Sequence, residues 1–270
     1  MDTPAKRAEF RRLHQAGCFV MPNPWDIGTA RYLAQLGFQA LASTSSGFAW
    51  SLGQADNAVG VEAVLAHLTA IAAAVDLPVN ADFEAGYADT PEGVAANVAR
   101  AVATGISGLS IEDATADPAA PVYPLAVGIA RIAAARAAID ASGADVLLTG
   151  RAENLIVGRP DLRDTIARLV AYSHAGADCL YAPGLKTAAE VAAVVAAVAP
   201  KPVNVLVGAP GFTVAELAGL GVRRISVGGA LARTAWGAFA AAAQQIADTG
   251  SFAAFAGGAR DLNSRFAGEG

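Results

Sequence analysis

The sequence predicts an α/β protein with a single (β/α)8 TIM barrel, and three observations lead there. Short β-branched runs alternate with longer Ala-rich helical stretches to the end of the chain without a break in composition. The strand-like runs number eight, and 270 residues fit one barrel, for which ~250 is typical. No GxGxxG follows the first strand-like run, so the usual mark of an open dinucleotide-binding sheet is missing. Residues 1–270 therefore read as one barrel domain, with a short Gly-rich C-terminal extension over 250–270.

The strands are expected at 18–21, 40–44, 79–82, 109–112, 146–151, 179–182, 203–207 and 224–228. Gly37, Gly105, Gly176 and Gly221 stand where a helix must end before a strand begins, and glycine there takes the left-handed conformation that closes the helix. Helix starts are marked as clearly. Thr187 with Glu190, and Thr213 with Glu216, have capping-box spacing, while Thr90-Pro91 puts threonine at the cap and proline at the first helical position.

Composition removes several classes of function. The hydrophobic fraction of 54% against 16% charged residues supplies one large core and excludes a disordered chain. The longest apolar runs, such as 191–200, fall short of the ~20 residues of a membrane span, and MDTPAKRAEF has no apolar signal region, so a cytoplasmic location is expected. A net charge of −5 without a Lys/Arg stripe argues against nucleic acid as a partner. Cys18 and Cys179 lie in apolar segments and read as buried thiols. The apolar stretch 236–246 points to association with further copies, as a homo-oligomer.

A parallel barrel builds its site from strand C-termini and the loops after them. His14, His67 and His174 fall on helical stretches away from those ends, so a His-rich zinc site or a His-based triad lacks its parts. Of the lysines, Lys6 precedes the first strand, Lys201 lies at the wrong end of strand seven, and Lys186 stands past strand six, which disfavours a Schiff-base aldolase. The strand ends instead carry Thr44-Ser45-Ser46, Asp82 and Glu84, Glu112 and Asp113, and Arg151 with Glu153. Carboxylates from neighbouring strands suit a hard divalent cation, and an arginine among them suits a substrate carboxylate. Glycines at 208 and 211, and at 228 and 229, occupy the address of a barrel phosphate site, or simply form tight turns.

Taken in order, the motifs resemble those of the isocitrate lyase and phosphoenolpyruvate mutase superfamily over about residues 21–240. Pro24-Trp25-Asp26 with Thr29-Ala30-Arg31 is similar to its opening loop, and residues 44–56, with Ser51-Leu52-Gly53, to its substrate-binding stretch. Asn80-Ala81-Asp82 with Gly86-Tyr87 resembles the DAD-TGYG signature, Ile111-Glu112-Asp113 the IED motif, and Gly150-Arg151-Ala152-Glu153 the arginine segment. The resemblance implies Asp82 as direct metal ligand, with Glu112 and Asp56 in the coordination or water shell of Mg2+ or Mn2+. It also implies Arg151 on a substrate carboxylate, and Trp25, Thr44, Ser45, Ser46 and Asn204 as substrate contacts. Tyr87, Glu153 and Tyr181 are the proton-transfer candidates.

The departures narrow the chemistry. The family's lyases carry a Lys-Cys-Gly-His loop after IED, whereas residues 113–118 read DATADP, with no Cys, Lys or His. Asn80 replaces the first aspartate of the signature, Glu84 stands in a loop one residue longer, and Pro183 replaces a polar residue. The resemblance thus implies a small 2-oxo or 2-hydroxy dicarboxylate cleaved at a C–C bond through a pyruvate-like enolate, as in an oxaloacetate decarboxylase. A phosphate-binding barrel isomerase or aldolase, and a non-catalytic metabolite-binding relative, are the alternatives. Relatives of this kind assemble as tetramers, so a dimer or tetramer is expected.

Overall fold

The structure is a computed structural model that describes residues 1–267. The chain divides into two units, Met1–Gly229 and the segment from Ala230 onward.

The first unit opens with α1 (Thr3–Leu13) and then alternates strands and helices: β1 (Phe19–Met21), α2 (Ile27–Gln35), β2 (Leu41–Ala42), α3 (Ser45–Ser51), α4 (Val61–Ala74), β3 (Val79–Asp82), α5 (Pro91–Ala103), β4 (Gly108–Glu112) and α6 (Leu125–Ala141). It continues through β5 (Leu147–Arg151), α7 (Leu162–His174), β6 (Cys179–Tyr181), α8 (Ala188–Val198), β7 (Val203–Leu206), α9 (Val214–Gly219) and β8 (Arg224–Ser226). All strand pairs are parallel, in the order β1-β8-β7-β6-β5-β4-β3-β2. At the seam, Ala42 N–H donates to the Pro22 carbonyl at 3.0 Å, so the sheet is a nearly closed (β/α)8 barrel.

Local chemistry explains these boundaries. Thr187 and Thr213 each form the capping box with Glu190 and Glu216, and Thr90 accepts from Gly93 N–H ahead of α5. Strand two is shorter than its sequence predicts, because Thr44 leaves the sheet to cap α3 and accepts from Gly47 N–H. The barrel closes at its N-terminal end on Phe10 of α1, which is fully buried. A side chain at Gly108 would bring its Cβ to 2.6 Å from that ring, and only glycine lets strand and ring meet.

Above Phe10 the interior is polar, not aliphatic. Arg224 is 1% exposed and donates to Asn204, Thr149 and Asn80, with no carboxylate partner among the described residues. His14 faces it: Nδ1 lies 2.7 Å from the Phe10 carbonyl, which requires the proton there, so Nε2 turns its lone pair to Arg224 Nη1 at 3.3 Å. Burial, and then the charge of Arg224, hold this imidazole down to about 3. The outer core of Val, Leu and Ile side chains lies between the strands and the helices around them.

The second unit comprises α10 (Ala230–Thr249), a 3-10 turn (Ala253–Gly257) and α11 (Leu262–Phe266). Gln245 ties the turn to α10 by accepting from Ala254 N–H at 3.0 Å. Trp236 and Phe239 meet edge to face at 5.5 Å and are 44% and 62% exposed. Among the described residues, no helix is long and apolar enough to cross a membrane.

Candidate active site

Asp82 closes β3, and its carboxylate is fixed from two sides. Oδ2 accepts from Ser45 N–H at 3.0 Å, and Oδ1 accepts from Arg151 Nη1 at 3.0 Å. Its own N–H donates to Ser43 Oγ at 2.9 Å, which locks the end of β3 to the turn after β2. On the next strand Glu112 reaches the same Arg151 Nη1, at 2.9 Å, and Arg151 Nε donates to Glu153 at 2.5 Å. Side chains from β3, β4 and β5 therefore converge on one guanidinium at the C-terminal mouth. The parallel register explains it, since Glu112 lies opposite Arg151 and Asp82 opposite Ser110, two residues earlier on the inward face.

The charge of this cluster is out of balance. Asp82, Glu112 and Glu153 share a single arginine, with Glu84 and Asp56 close enough to add their fields. Burial raises the Glu112 carboxyl well above the usual range, with Glu153, Asp82 and Glu84 adding to the rise against the pull of Arg151. Glu153 is raised for the same reason, burial first and then Asp113 and Asp82 against Arg151. Burial works against the Arg151 charge, but Glu112 and Glu153 outweigh it and hold the guanidinium firmly protonated. Asp56, in the exposed loop before α4, is raised by partial desolvation and by Asp82, while Ser45 hydrogen-bonds to it. Among the described residues no group of acids, His and Cys is already splayed into a coordination shell, because Arg151 draws Asp82 and Glu112 together.

Two further arginines shape the loops around the cluster. Asp113 points away from the mouth: its carboxylate accepts from Glu153 N–H at 2.8 Å, Arg168 Nη1 at 3.0 Å and Tyr172 Oη at 2.6 Å. It anchors the loop after β5 to α7 and sets the position of Glu153. Arg131, on α6 and 1% exposed, donates to the carbonyls of Ala85, Ala88 and Asp89 and lies 4.3 Å over the Tyr123 ring. From α5, Asn97 adds donors to the Gly86 and Tyr87 carbonyls, each at 3.0 Å. The loop held in this way carries Glu84 at φ 45° and Tyr87 at φ 53°, conformations that side chains disfavour. Sequence reading could place neither Arg131 nor the direction of Asp113, since both depend on which helix packs over which loop.

A small pocket opens beside Asp82, lined by Ser43, Thr44, Ser45, Phe48, Val59, Val64, His67, Glu84 and Tyr87. His67 was set aside in the sequence as a helical residue remote from strand ends, and the structure corrects this by placing it on the pocket wall, stacked on Phe48 at 3.7 Å. Burial, with Asp82 and Asp56 adding, pushes Glu84 up to about 7. Tyr87 keeps its proton through burial and the nearby Glu84 charge, and its hydroxyl comes up against Glu84 without a well-aligned hydrogen bond.

The remaining residues singled out in the sequence are spread over other layers. Thr44 Oγ1 lies 3.1 Å from Ser46 Oγ, beside the pocket. Trp25 is half-buried just before α2, its N–H donating to Thr29. Tyr181 lies beneath Arg151, ring centroid at 5.1 Å, and burial pushes its hydroxyl up to about 12. Asn204 sits inside the barrel, engaged with Ser226 and Arg224, and Asn80 sits a layer below Asp82, near Arg224. Of the presumed buried thiols, Cys179 is buried and Cys18 only partly so. After β8, the Val227 and Gly228 amides both donate to Asn23 Oδ1 at 2.9 Å, so these amides of the proposed phosphate address already have an acceptor.

Acids and an arginine meeting at three consecutive strand ends, in the order DAD-like, IED and arginine segment, decide the kinship. Residues 10–247 match the family described as phosphoenolpyruvate phosphomutase. The chain belongs to the phosphoenolpyruvate phosphomutase family. Members of the wider phosphoenolpyruvate mutase and isocitrate lyase superfamily are enzymes acting on C–C or P–C bonds, and the chain is an enzyme of that superfamily. Among solved structures, a Burkholderia cenocepacia J2315 protein provisionally described as a lyase/mutase is 49% identical, with a TM-score of 0.95 over 99% of this chain and 98% of its own. Oxaloacetate acetylhydrolase in complex with the product oxalate is 26% identical, with a TM-score of 0.86 over 98% and 95%. An oxaloacetate decarboxylase of Rhodopseudomonas palustris (strain BisB18) is 32% identical over 183 residues, 65% of this chain and 59% of that protein.

Proposed function

We propose that this family member is a divalent-metal-dependent lyase that cleaves a C–C bond of a small 2-oxo or 2-hydroxy dicarboxylate, in the manner of an oxaloacetate decarboxylase. One observation carries the reading: Asp82 and Glu112, from adjacent strands, converge with Glu153 on Arg151, three carboxyl groups around one guanidinium. The oxygen donors are those a hard cation such as Mg2+ or Mn2+ takes. Asp82 would hold the ion directly, with Glu112 and Asp56 in or around its water shell. A bound cation would supply charge neutralisation for an enolate oxygen.

The protein's own groups account for the rest. Arg151 would hold a substrate carboxylate, buried where water cannot weaken the grip. The hydroxyls of Thr44, Ser45 and Ser46 border the 2-oxo or 2-hydroxy group. Decarboxylation of oxaloacetate breaks the bond from C3 to its carboxylate, releases CO2 and leaves the electron pair in a pyruvate enolate. C3 then takes one proton. Tyr87 would give it, being a buried hydroxyl that keeps its proton and lines the pocket beside Asp82. Glu153, held by Arg151 and Asp113, keeps the guanidinium oriented.

The similarity to an oxaloacetate decarboxylase and to an acetylhydrolase that binds oxalate supports this substrate class. The exposed Trp236 and Phe239 support a homo-oligomer. The test is a product-release screen of 2-oxo and 2-hydroxy diacids with Mg2+ or Mn2+, run on the wild type and on Asp82→Ala. Turnover of at least one diacid, lowered at least about 100-fold in the variant and abolished by chelation, is expected. Equal turnover in both proteins would remove Asp82 from the metal site.

A further inference from the structure

The pocket beside Asp82 contains more chemistry than the proposed cleavage uses. Two of its lining side chains have buried polar atoms that lack a well-aligned hydrogen bond: His67 Nε2 has no partner among the described residues, and Tyr87 Oη meets only Glu84. A buried polar atom left unpaired is costly, and such atoms are rare in folded proteins unless a ligand or water completes them. The loop carrying Tyr87 is held at positive φ by Arg131 and Asn97, so the hydroxyl is maintained there against backbone strain. The His67 ring is fixed too, lying nearly parallel to Phe48 at 12°.

The walls restrict what can enter. Asp82 and Glu84 line the pocket and oppose a second anionic group, while Phe48, Val59 and Val64 make the remaining wall apolar. The enclosed space is about 10 Å3, room for about one water-sized group, so it suits a substituent and not a separate ligand. A hydrocarbon group would fill it but leave both polar atoms without a well-aligned partner. A neutral hydroxyl can donate to one and accept from the other.

Resting on the cleavage reading above, we propose that this pocket is a specificity subsite for a hydroxyl on C3 of the substrate, the carbon that takes the proton, with His67 as the residue that selects it. The substrate class is then a 3-hydroxylated 2-oxo or 2-hydroxy dicarboxylate, held by Arg151 through a carboxylate and by His67 through the added hydroxyl. The imidazole stays neutral, because burial brings it down to about 4, so it offers Nε2 without an opposing charge at ordinary pH.

Calorimetric titration with Mg2+ of malate against each tartrate stereoisomer, which differs from malate by one C3 hydroxyl, tests the assignment. The wild type is expected to bind one tartrate isomer at least about 10-fold more tightly than malate. His67→Leu should lose about 10- to 100-fold for that isomer and less than threefold for malate, and His67→Gln should recover much of the loss. Tartrate binding no better than malate in the wild type, equal loss of both ligands in folded His67→Leu, or no binding of either ligand would overturn the subsite. Asp82→Ala separates the two readings. Malate affinity unchanged in that variant contradicts the metal site itself, whereas its loss, with discrimination insensitive to His67, contradicts the subsite alone.

Discussion

Arg151 shows how one side chain can organise a site. It is buried, and acids from β3, β4 and the loop after β5 surround its charge. A lysine would supply charge but not the fork that meets Glu153 through Nε while serving Asp82 and Glu112 through Nη1. Arg151→Lys is therefore expected to lower kcat/KM at least about 100-fold, mostly through KM, in steady-state assays of the diacid turned over. Wild-type kinetics in that variant would mean the guanidinium does not hold substrate. At this scale the sequence was informative wherever a residue ends a strand: Asp82, Glu112 and Arg151 meet as their positions imply. It was uninformative where the side chain's layer matters, as with Asn204 and Asn80, which face Arg224 in the interior. His67 was invisible for a related reason, since nothing in a helical segment fifteen residues before Asp82 reveals that the helix turns that face to the pocket.

Between elements, the decisive contacts are arginines reaching loop carbonyls. Arg131 satisfies Ala85, Ala88 and Asp89 from α6, a role that neither local spacing nor charge pairing announces because the groups it meets are backbone carbonyls. Arg131→Met keeps most of the volume but leaves those carbonyls without donors, a cost of about 1–3 kcal/mol in denaturant unfolding. The loop bearing Tyr87 should loosen, so kcat is expected to fall about 10-fold with KM little changed. A stable variant with wild-type kcat would show that the loop holds its strained shape unaided. The caps at Thr187 with Glu190 and Thr213 with Glu216, by contrast, were readable, since each involves only residues three apart. Strand two was read too long because the same local rule, applied to Thr44, ends the strand by starting a helix.

Over the barrel as a whole, charge is layered: an acid-rich mouth stands above an interior that holds Arg224 and the neutral His14. The His14 pKa, brought down from 6.5 to about 3, links this layering to stability. A histidine depressed in the folded state favours folding above its unfolded pKa. That contribution drains away as pH falls from 6.5 toward 3, because the unfolded chain takes the proton first. Between pH 7.5 and 5 the loss from this group is about 2 kcal/mol. His14→Gln should lack this part of the acid sensitivity in urea titrations at the two pH values, and an identical pH slope in both proteins would show that His14 is not buried as a neutral base. The raised Glu112 and Glu153 act in the opposite sense, costing stability as pH rises, which is the cost of a mouth crowded with acids. Barrel closure itself was legible from strand count and length, because each strand and helix announces its own ends.

The central claim is that Asp82 and Glu112 share one cation at the barrel mouth. Crystals grown with Mn2+ and oxalate, measured for anomalous scattering at the manganese edge, test it most directly. A single strong peak is expected at about 2.0–2.2 Å from an Asp82 carboxylate oxygen, reaching Glu112 directly or through one water, with oxalate completing the shell. A peak elsewhere, or ordered oxalate bound with Asp82 and Glu112 still turned onto Arg151 and no metal between them, would contradict it.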